Sequence, residues 1–231
     1  MKTAGIIGGL GPESTLDYYR RLIDCYRARA GDDHAPSLVI DSVDLPKVVG
    51  LVREDRRAEL VDYLAGEVGR LARAGADFAV VAANTPHLVF DDLERVSPLP
   101  LISIVEATGR AAAARSLSRV GLFGTRFTMQ GRFYPEVFER LGIALVMPPA
   151  AEQDYLHHIY MGELVRGIVK DETRGELVAI ARRMKSRDGI EGLILGGTEL
   201  SLILSARDLP EMAVLDTAQI HVEEIVTALL A

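Results

Sequence analysis

The chain has 231 residues, 48% of them hydrophobic, enough for one large α/β domain or two small ones sharing a core. Lysine plus arginine total 26 against 33 aspartate plus glutamate; the net charge of −7 and the absence of any basic run argue against nucleic acid as a partner. A single cysteine, Cys25, excludes an internal disulfide, and no apolar run reaches the roughly 18 residues of a membrane span, so a soluble cytoplasmic protein is expected.

The opening MKTAGIIGG reads as a strand, Thr3–Ile7, because its apolar run is too short for a secretory leader. A glycine turn leads to a helix from about Pro12 to Ala30, with proline at its start and Gly31 past its end. Ser37–Ile40 is the next strand, Arg56–Ala74 a helix closed by Gly75, and Phe78–Ala82 a buried strand. Leu101–Ile104 is a strand and Val105–Ser116 an alanine-rich helix. The pattern then restarts with strand Val120–Phe123, helix Phe133–Leu141 and strand Leu145–Met147. Residues from Ala151 to Arg187 read as mainly helical, with breaks around Gly167 and Asp171–Thr173. Strands Leu193–Leu195 and Val214–Leu215 follow, then helix Thr217–Leu230. Strands separated by helices predict an α/β fold of parallel sheets flanked by helices.

The restart is a repeat. Ala4-Gly5-Ile6-Ile7-Gly8-Gly9 matches Val120-Gly121-Leu122-Phe123-Gly124-Thr125, and Val80-Val81-Ala82-Ala83-Asn84-Thr85 matches Ile194-Leu195-Gly196-Gly197-Thr198-Glu199, both at an offset of about 115 residues. Two similar lobes are expected, pseudo-twofold related with a cleft between them. Residues 1–105 plus 212–231 would form the first and 106–211 the second. Ligands in open α/β sheets bind beyond the carboxyl ends of strands.

Polar candidates collect at those ends. The Gly8-Gly9-Leu10-Gly11-Pro12 loop lets a backbone come close to a small anion, with Gly9 the candidate contact; it lacks the third glycine of a dinucleotide loop and any Walker lysine. The plainer reading is a tight strand-to-helix turn. Asn84 and Thr85 offer amide and hydroxyl hydrogen bonds, or simply form a turn. His87 titrates near neutrality if exposed, yet beside a proline turn it also suits a structural role. Thr125 and Thr128 can donate to a carboxylate, or Thr128 can cap the following helix. Thr198-Glu199 mirrors Asn84-Thr85, and Glu199 is a base if burial raises its pKa, or else a cap or an arginine's partner. Arg53, in a charge-rich stretch, could hold a carboxylate bidentately. Cys25 reads as packing, and His157 with His158, being adjacent on a helix, do not form a metal pair.

Taken together, Gly5–Thr15 (GIIGGLGPEST), Asp41–Leu45 (DSVDL), Ala74–His87 (AGADFAVVAANTPH), Gly121–Met129 (GLFGTRFTM), Gly192–Leu200 (GLILGGTEL) and Leu215–His221 (LDTAQIH) resemble the aspartate/glutamate racemase family over the whole length. The resemblance implies two α/β lobes with a cleft, no PLP, no metal and, on this ground alone, a homodimer. It also implies one cysteine per lobe, on opposite sides of the substrate's α-carbon, so that a thiolate abstracts a proton while the opposing thiol donates one. Those positions are Ala83 and Gly197 here, and neither side chain transfers a proton. The substrate frame is present: by the resemblance Asn84, Thr85, Thr125, Thr128 and Thr198, with Arg53, would bind a small acidic amino acid or dicarboxylate.

Three functions follow. The first is proton-transfer chemistry of the racemase, isomerase or lyase kind on a small carboxylic acid, with Glu199 and His87 as replacement acid/base groups. The second is a catalytically inactive small-carboxylate binding or regulatory protein. The third is racemisation through water or other groups.

Overall fold

The structure is a computed structural model that describes residues 2–31 and 33–231; Met1 and Asp32 lie outside it. Strand β1 (Thr3–Gly8) leads to helix α1 (Pro12–Ala30). The helix ends where Gly31 turns left-handed, at φ 74°, and donates its N–H to the Arg27 carbonyl at 3.0 Å. Next come β2 (Ser37–Ser42), α2 (Leu45–Arg53), α3 (Arg57–Arg73) and β3 (Phe78–Val81). A 3-10 turn (Thr85–Val89), α4 (Phe90–Val96), β4 (Leu101–Ile102) and α5 (Ile104–Ala114) complete the first pass. The second pass runs β5 (Arg119–Gly124), α6 (Arg126–Gln130), α7 (Phe133–Arg140), β6 (Ala144–Val146) and α8 (Ala150–Gly162). It continues through a short 3-10 turn (Leu164–Arg166), α9 (Asp171–Asp188), β7 (Gly192–Gly196), another 3-10 turn (Thr198–Leu202), β8 (Ala213–Asp216) and α10 (Thr217–Leu230).

The two passes build two four-stranded sheets, ordered β2-β1-β3-β4 and β6-β5-β7-β8, with every pairing parallel. The orders coincide when each strand of the first sheet is set against its counterpart four strands later. The expected α/β fold of two similar lobes, each a parallel sheet with helices, is therefore observed. The chain divides into residues up to Ile104 with His221–Ala231, and Val105–Ile220. The return to the first unit comes at 221, later than the expected 212, because β8 pairs with β7 (Leu193 beside Val214) and so belongs to the second sheet.

Burial follows the pattern of apolar residues. In α3 the apolar stripe Leu60, Leu64, Val68 and Leu71 recurs at helical spacing and is fully buried. Each such side chain contributes roughly 1.5–3 kcal/mol relative to exposure. In the second unit Phe123 of β5, Leu156 and Ile159 of α8, Leu177 and Ile180 of α9, and Leu193 and Leu195 of β7 form one cluster. The long stretch expected as mainly helical breaks at Gly167, where φ is 70°; Asp171–Thr173 opens α9 and does not interrupt a helix.

Two glycines let β5 and β7 lie side by side. A methyl group on Gly124 would lie 2.7 Å from the Gly196 carbonyl oxygen and 2.9 Å from Thr128 Cβ. A backbone carbonyl in a sheet cannot move aside. Gly124→Ala is therefore expected to cost about 2 kcal/mol or more, read as a lower urea midpoint with an unchanged m-value.

Candidate functional site at the sheet edges

Within each unit the chain leaves the two central strands in opposite directions. From β1 it goes to β2 on one side, and from β3 to β4 on the other. The same holds for β5 and β7. The loops after these strands therefore flank a topological switch point, the usual ligand position in a parallel sheet. The residues singled out from the sequence occupy these loops, apart from Arg53, which is exposed in the last turn of α2.

In the first unit, the loop after β1 is closed on itself. Gly9 takes φ 82°, and its N–H donates to Thr15 Oγ1 at 2.8 Å, which in turn donates to the Gly11 carbonyl at 3.1 Å. A side chain at Gly9 would strike the Val43 carbonyl oxygen at 2.6 Å. The expected contact between the Gly9 amide and an anion thus gives way to a turn-forming role. A different donor lies nearby. Ser14, in the first turn of α1, is buried, and its hydroxyl has no hydrogen-bond partner. It sits in the glycine-loop motif, but a serine there reads as an ordinary helix-start residue.

After β3, Asn84 is buried and Thr85 partly so. His87 is 3% exposed, and both of its ring nitrogens are engaged. Nδ1 donates to the Ala83 carbonyl at 2.9 Å, and Nε2 accepts the Ile104 N–H at 3.3 Å. Phe90 stacks on the ring at 4.8 Å. Burial, then the nearby His221, lowers its pKa to about 3. This imidazole is neutral and has no open lone pair, so the expected acid/base role for His87 is replaced by a structural one. It anchors the start of α5. A second buried histidine does similar work: His221 accepts from the Tyr18 hydroxyl at 3.0 Å and donates Nε2–H to the Ile102 carbonyl at 3.0 Å. With its Nδ1 directed at a carbonyl, His87 must be the Nδ1–H tautomer.

In the second unit, Thr125 caps α6. Its Oγ1 accepts the Thr128 N–H at 3.2 Å and lies 3.1 Å from the Thr128 hydroxyl. The cap is Thr125, not Thr128; Thr128 is the third residue of the first turn, and both are buried.

After β7, Thr198 and Glu199 are buried at the start of a 3-10 turn. Glu199 is 1% exposed. Its Oε2 accepts hydrogen bonds from Thr198 Oγ1 at 3.1 Å and from the Tyr160 hydroxyl, while Oε1 has no partner. Burial, and then the Glu199 charge, hold the Tyr160 pKa well above the usual tyrosine range, so tyrosine is the donor and glutamate the acceptor. Nothing in the local sequence of Tyr160 marks it for this contact; between Ile159 and Met161 it reads as a core aromatic of α8.

Among the described residues no group of three or more His, Cys, Asp and Glu side chains could hold a metal ion, and no helix is long and apolar enough to cross a membrane.

Duplicated parallel sheets with buried polar residues at their switch points define a two-unit α/β protein. The chain belongs to the Asp/Glu/Hydantoin racemase family, whose sequence profile matches residues 7–225. It is similar to a broad specificity amino-acid racemase of Bacillus subtilis (strain 168), at 27% identity over 143 residues, 60% of this chain and 61% of that protein. A glutamate racemase of Thermus thermophilus is 31% identical over 166 residues, 71% of this chain and 59% of that protein. The chain thus spans less than two thirds of the length of these relatives. Among solved structures, an aspartate racemase homologue from Pyrococcus horikoshii OT3 is 35% identical, covers 100% of both chains and has a TM-score of 0.85. A glutamate racemase from Francisella tularensis, solved with D-glutamate, shares the fold at a TM-score of 0.70 and 16% identity, covering 99% of this chain and 81% of that one.

Proposed function

We propose that the protein binds a small acidic amino acid or related carboxylic acid and catalyses cofactor-independent proton transfer next to its carboxylate, from one side only. The observation that carries this reading is Glu199, a buried carboxylate at the carboxyl edge of β7 with one oxygen held and the other unpartnered. A carboxylate so placed is equipped to accept a proton. Asn84, Thr85, Thr125, Thr128 and Thr198, with Ser14, would supply hydrogen bonds to the ligand's carboxylates and ammonium, and Arg53, carried over from the resemblance alone, a positive charge. The position equivalent to Gly197 in the first unit is Ala83, which carries no proton, and His87 beside it is closed on both nitrogens. The reading is therefore a one-base isomerase, lyase or exchange reaction, not two-base racemisation. The single cysteine favours a cytoplasmic location, and family resemblance supports a homodimer.

The test is incubation of the protein with each enantiomer of aspartate and of glutamate in deuterated water, with the α-proton followed by NMR. Exchange without inversion is expected, and Glu199→Gln is expected to slow it by a factor of roughly 100 to 10,000. Exchange with inversion would mean that a second base operates. The loss of both cysteine positions favours an alternative, a binding or regulatory protein without turnover. No exchange, with thermal stabilisation by the same ligands, would establish that alternative. If no small dicarboxylate stabilises the protein, the ligand class itself is wrong.

A further inference from the structure

Gly197 has φ −160° and ψ 127°, extended backbone that any residue adopts, so its conformation does not call for glycine. Its surroundings do. A Cβ on Gly197 would overlap the edge of the Tyr160 ring, and would lie 2.7 Å from the hydroxyl oxygen and 2.8 Å from Cζ. Tyr160, 7% exposed in the last turn of α8, packs into the same cluster as Phe123, Leu156 and Ile159. The place where a side chain at position 197 would begin is thus filled by a phenol that reaches in from another element. That phenol is not inert filling, because its hydroxyl is bonded to the buried carboxylate of Glu199. A side chain absent at 197 and a hydroxyl present at the same point are two sides of one structural fact.

We propose that the Tyr160 hydroxyl is a catalytic residue, the proton-carrying group of the second unit, standing in for a side chain at position 197 and working as a relay with Glu199. This rests on the one-base reading above. In the forward step the C–H bond beside the substrate carboxylate breaks and its proton passes to Tyr160 Oη. Tyr160 releases its own proton to Glu199 Oε2, and the electron pair stays on the substrate as an enolate. In the return step Glu199 gives its proton back to Tyr160, which protonates the same face of the carbon. The phenol never has to stand as a free phenolate, which its buried setting disfavours. Thr198 Oγ1, donating to the same carboxylate oxygen, orients Glu199 in the relay.

The test is Tyr160→Phe, which removes one oxygen and keeps the ring. The readouts are α-proton exchange of aspartate and glutamate in deuterated water, and thermal stabilisation by the same ligands. Exchange is expected to fall by about 100-fold or more while ligand stabilisation persists. Exchange within about threefold of the parent rate would overturn the relay and leave Glu199 acting directly, so the one-base reading would survive alone. Absence of exchange in the unmodified protein would overturn both. Should Tyr160→Phe not fold, Tyr160→Leu serves instead. It also lacks the hydroxyl, so a similar loss is expected, and unchanged exchange in that variant sinks the proposal.

Discussion

Lowering the pH from 7 to 4.5 is expected to remove on the order of 2–3 kcal/mol of folding stability through His87 alone. The unfolded chain takes up a proton on this imidazole near pH 6.5, while the folded protein holds it neutral until about pH 3. Because the folded pKa is the lower one, the unfolded state binds more protons between those limits. The stabilisation is complete above about pH 6.5 and drains away as the pH falls toward 3. The cause is first burial and then the electrostatic influence of the neighbouring His221, and protonation would also cost the Nε2 bond to the Ile104 N–H. Several carboxylates, Glu191 and Asp208 among them, have depressed pKa values and lose their own contributions at lower pH. Those carboxylates and the other four histidines titrate in parent and variant alike, so the difference between the parent and His87→Leu from pH 6.5 to 4.5 isolates this histidine. Urea unfolding of the parent and of His87→Leu across that window checks the result. The variant is expected to be less stable at pH 7, with a stability-versus-pH slope shallower by about one proton. Equal slopes would show that His87 is not held neutral in the folded state.

Restoring a cysteine at position 197 is expected to fail structurally before it can succeed chemically. Gly197→Cys places Cβ against the outer edge of the Tyr160 ring, which is buried in a hydrophobic cluster, and it pushes the donor hydroxyl away from Glu199. Overpacking of this kind costs about 1–3 kcal/mol, and a buried carboxylate losing a hydrogen bond adds about 1–3 more. Tyr160→Leu removes the colliding atoms Cε2, Cζ and Oη and keeps the inner part of the side chain. In that background the same cysteine is expected to cost less than about 1 kcal/mol, so the two substitutions are strongly coupled in a double-mutant cycle. Additive costs would mean that Tyr160 does not fill the site. For the same reason a variant with cysteines at both 83 and 197 has to carry the Tyr160 change to be a fair trial of two-base racemisation.

Much of the fold was legible in the chain. Helix α1 begins at Pro12 and stops before Gly31, and α10 runs from Thr217 to Leu230, where the local signals placed them. The duplicated glycine-ended strands foretold two similar parallel sheets, and the structure shows that they also share one strand order. What escaped was short. Helices α2, α4 and α6 have 9, 7 and 5 residues, too few turns for apolar periodicity to separate them from loop. The candidate site was partly legible for a related reason. Asn84, Thr125, Thr198 and Glu199 stand at strand ends, and a strand end is a local feature.

The sequence by itself determined the class of fold, the repeat and the loss of a proton-bearing side chain at positions 83 and 197, because these depend on residue order and on neighbours along the chain. Only the tertiary structure decided what surrounds those positions. It closed both nitrogens of His87 on Ala83 and Ile104, committed the Gly9 amide to Thr15, and brought Tyr160 of α8 against Gly197 and Glu199. Contacts between residues far apart in the chain leave no trace in local propensity, and a buried aromatic reads the same whether it fills a core or carries a proton.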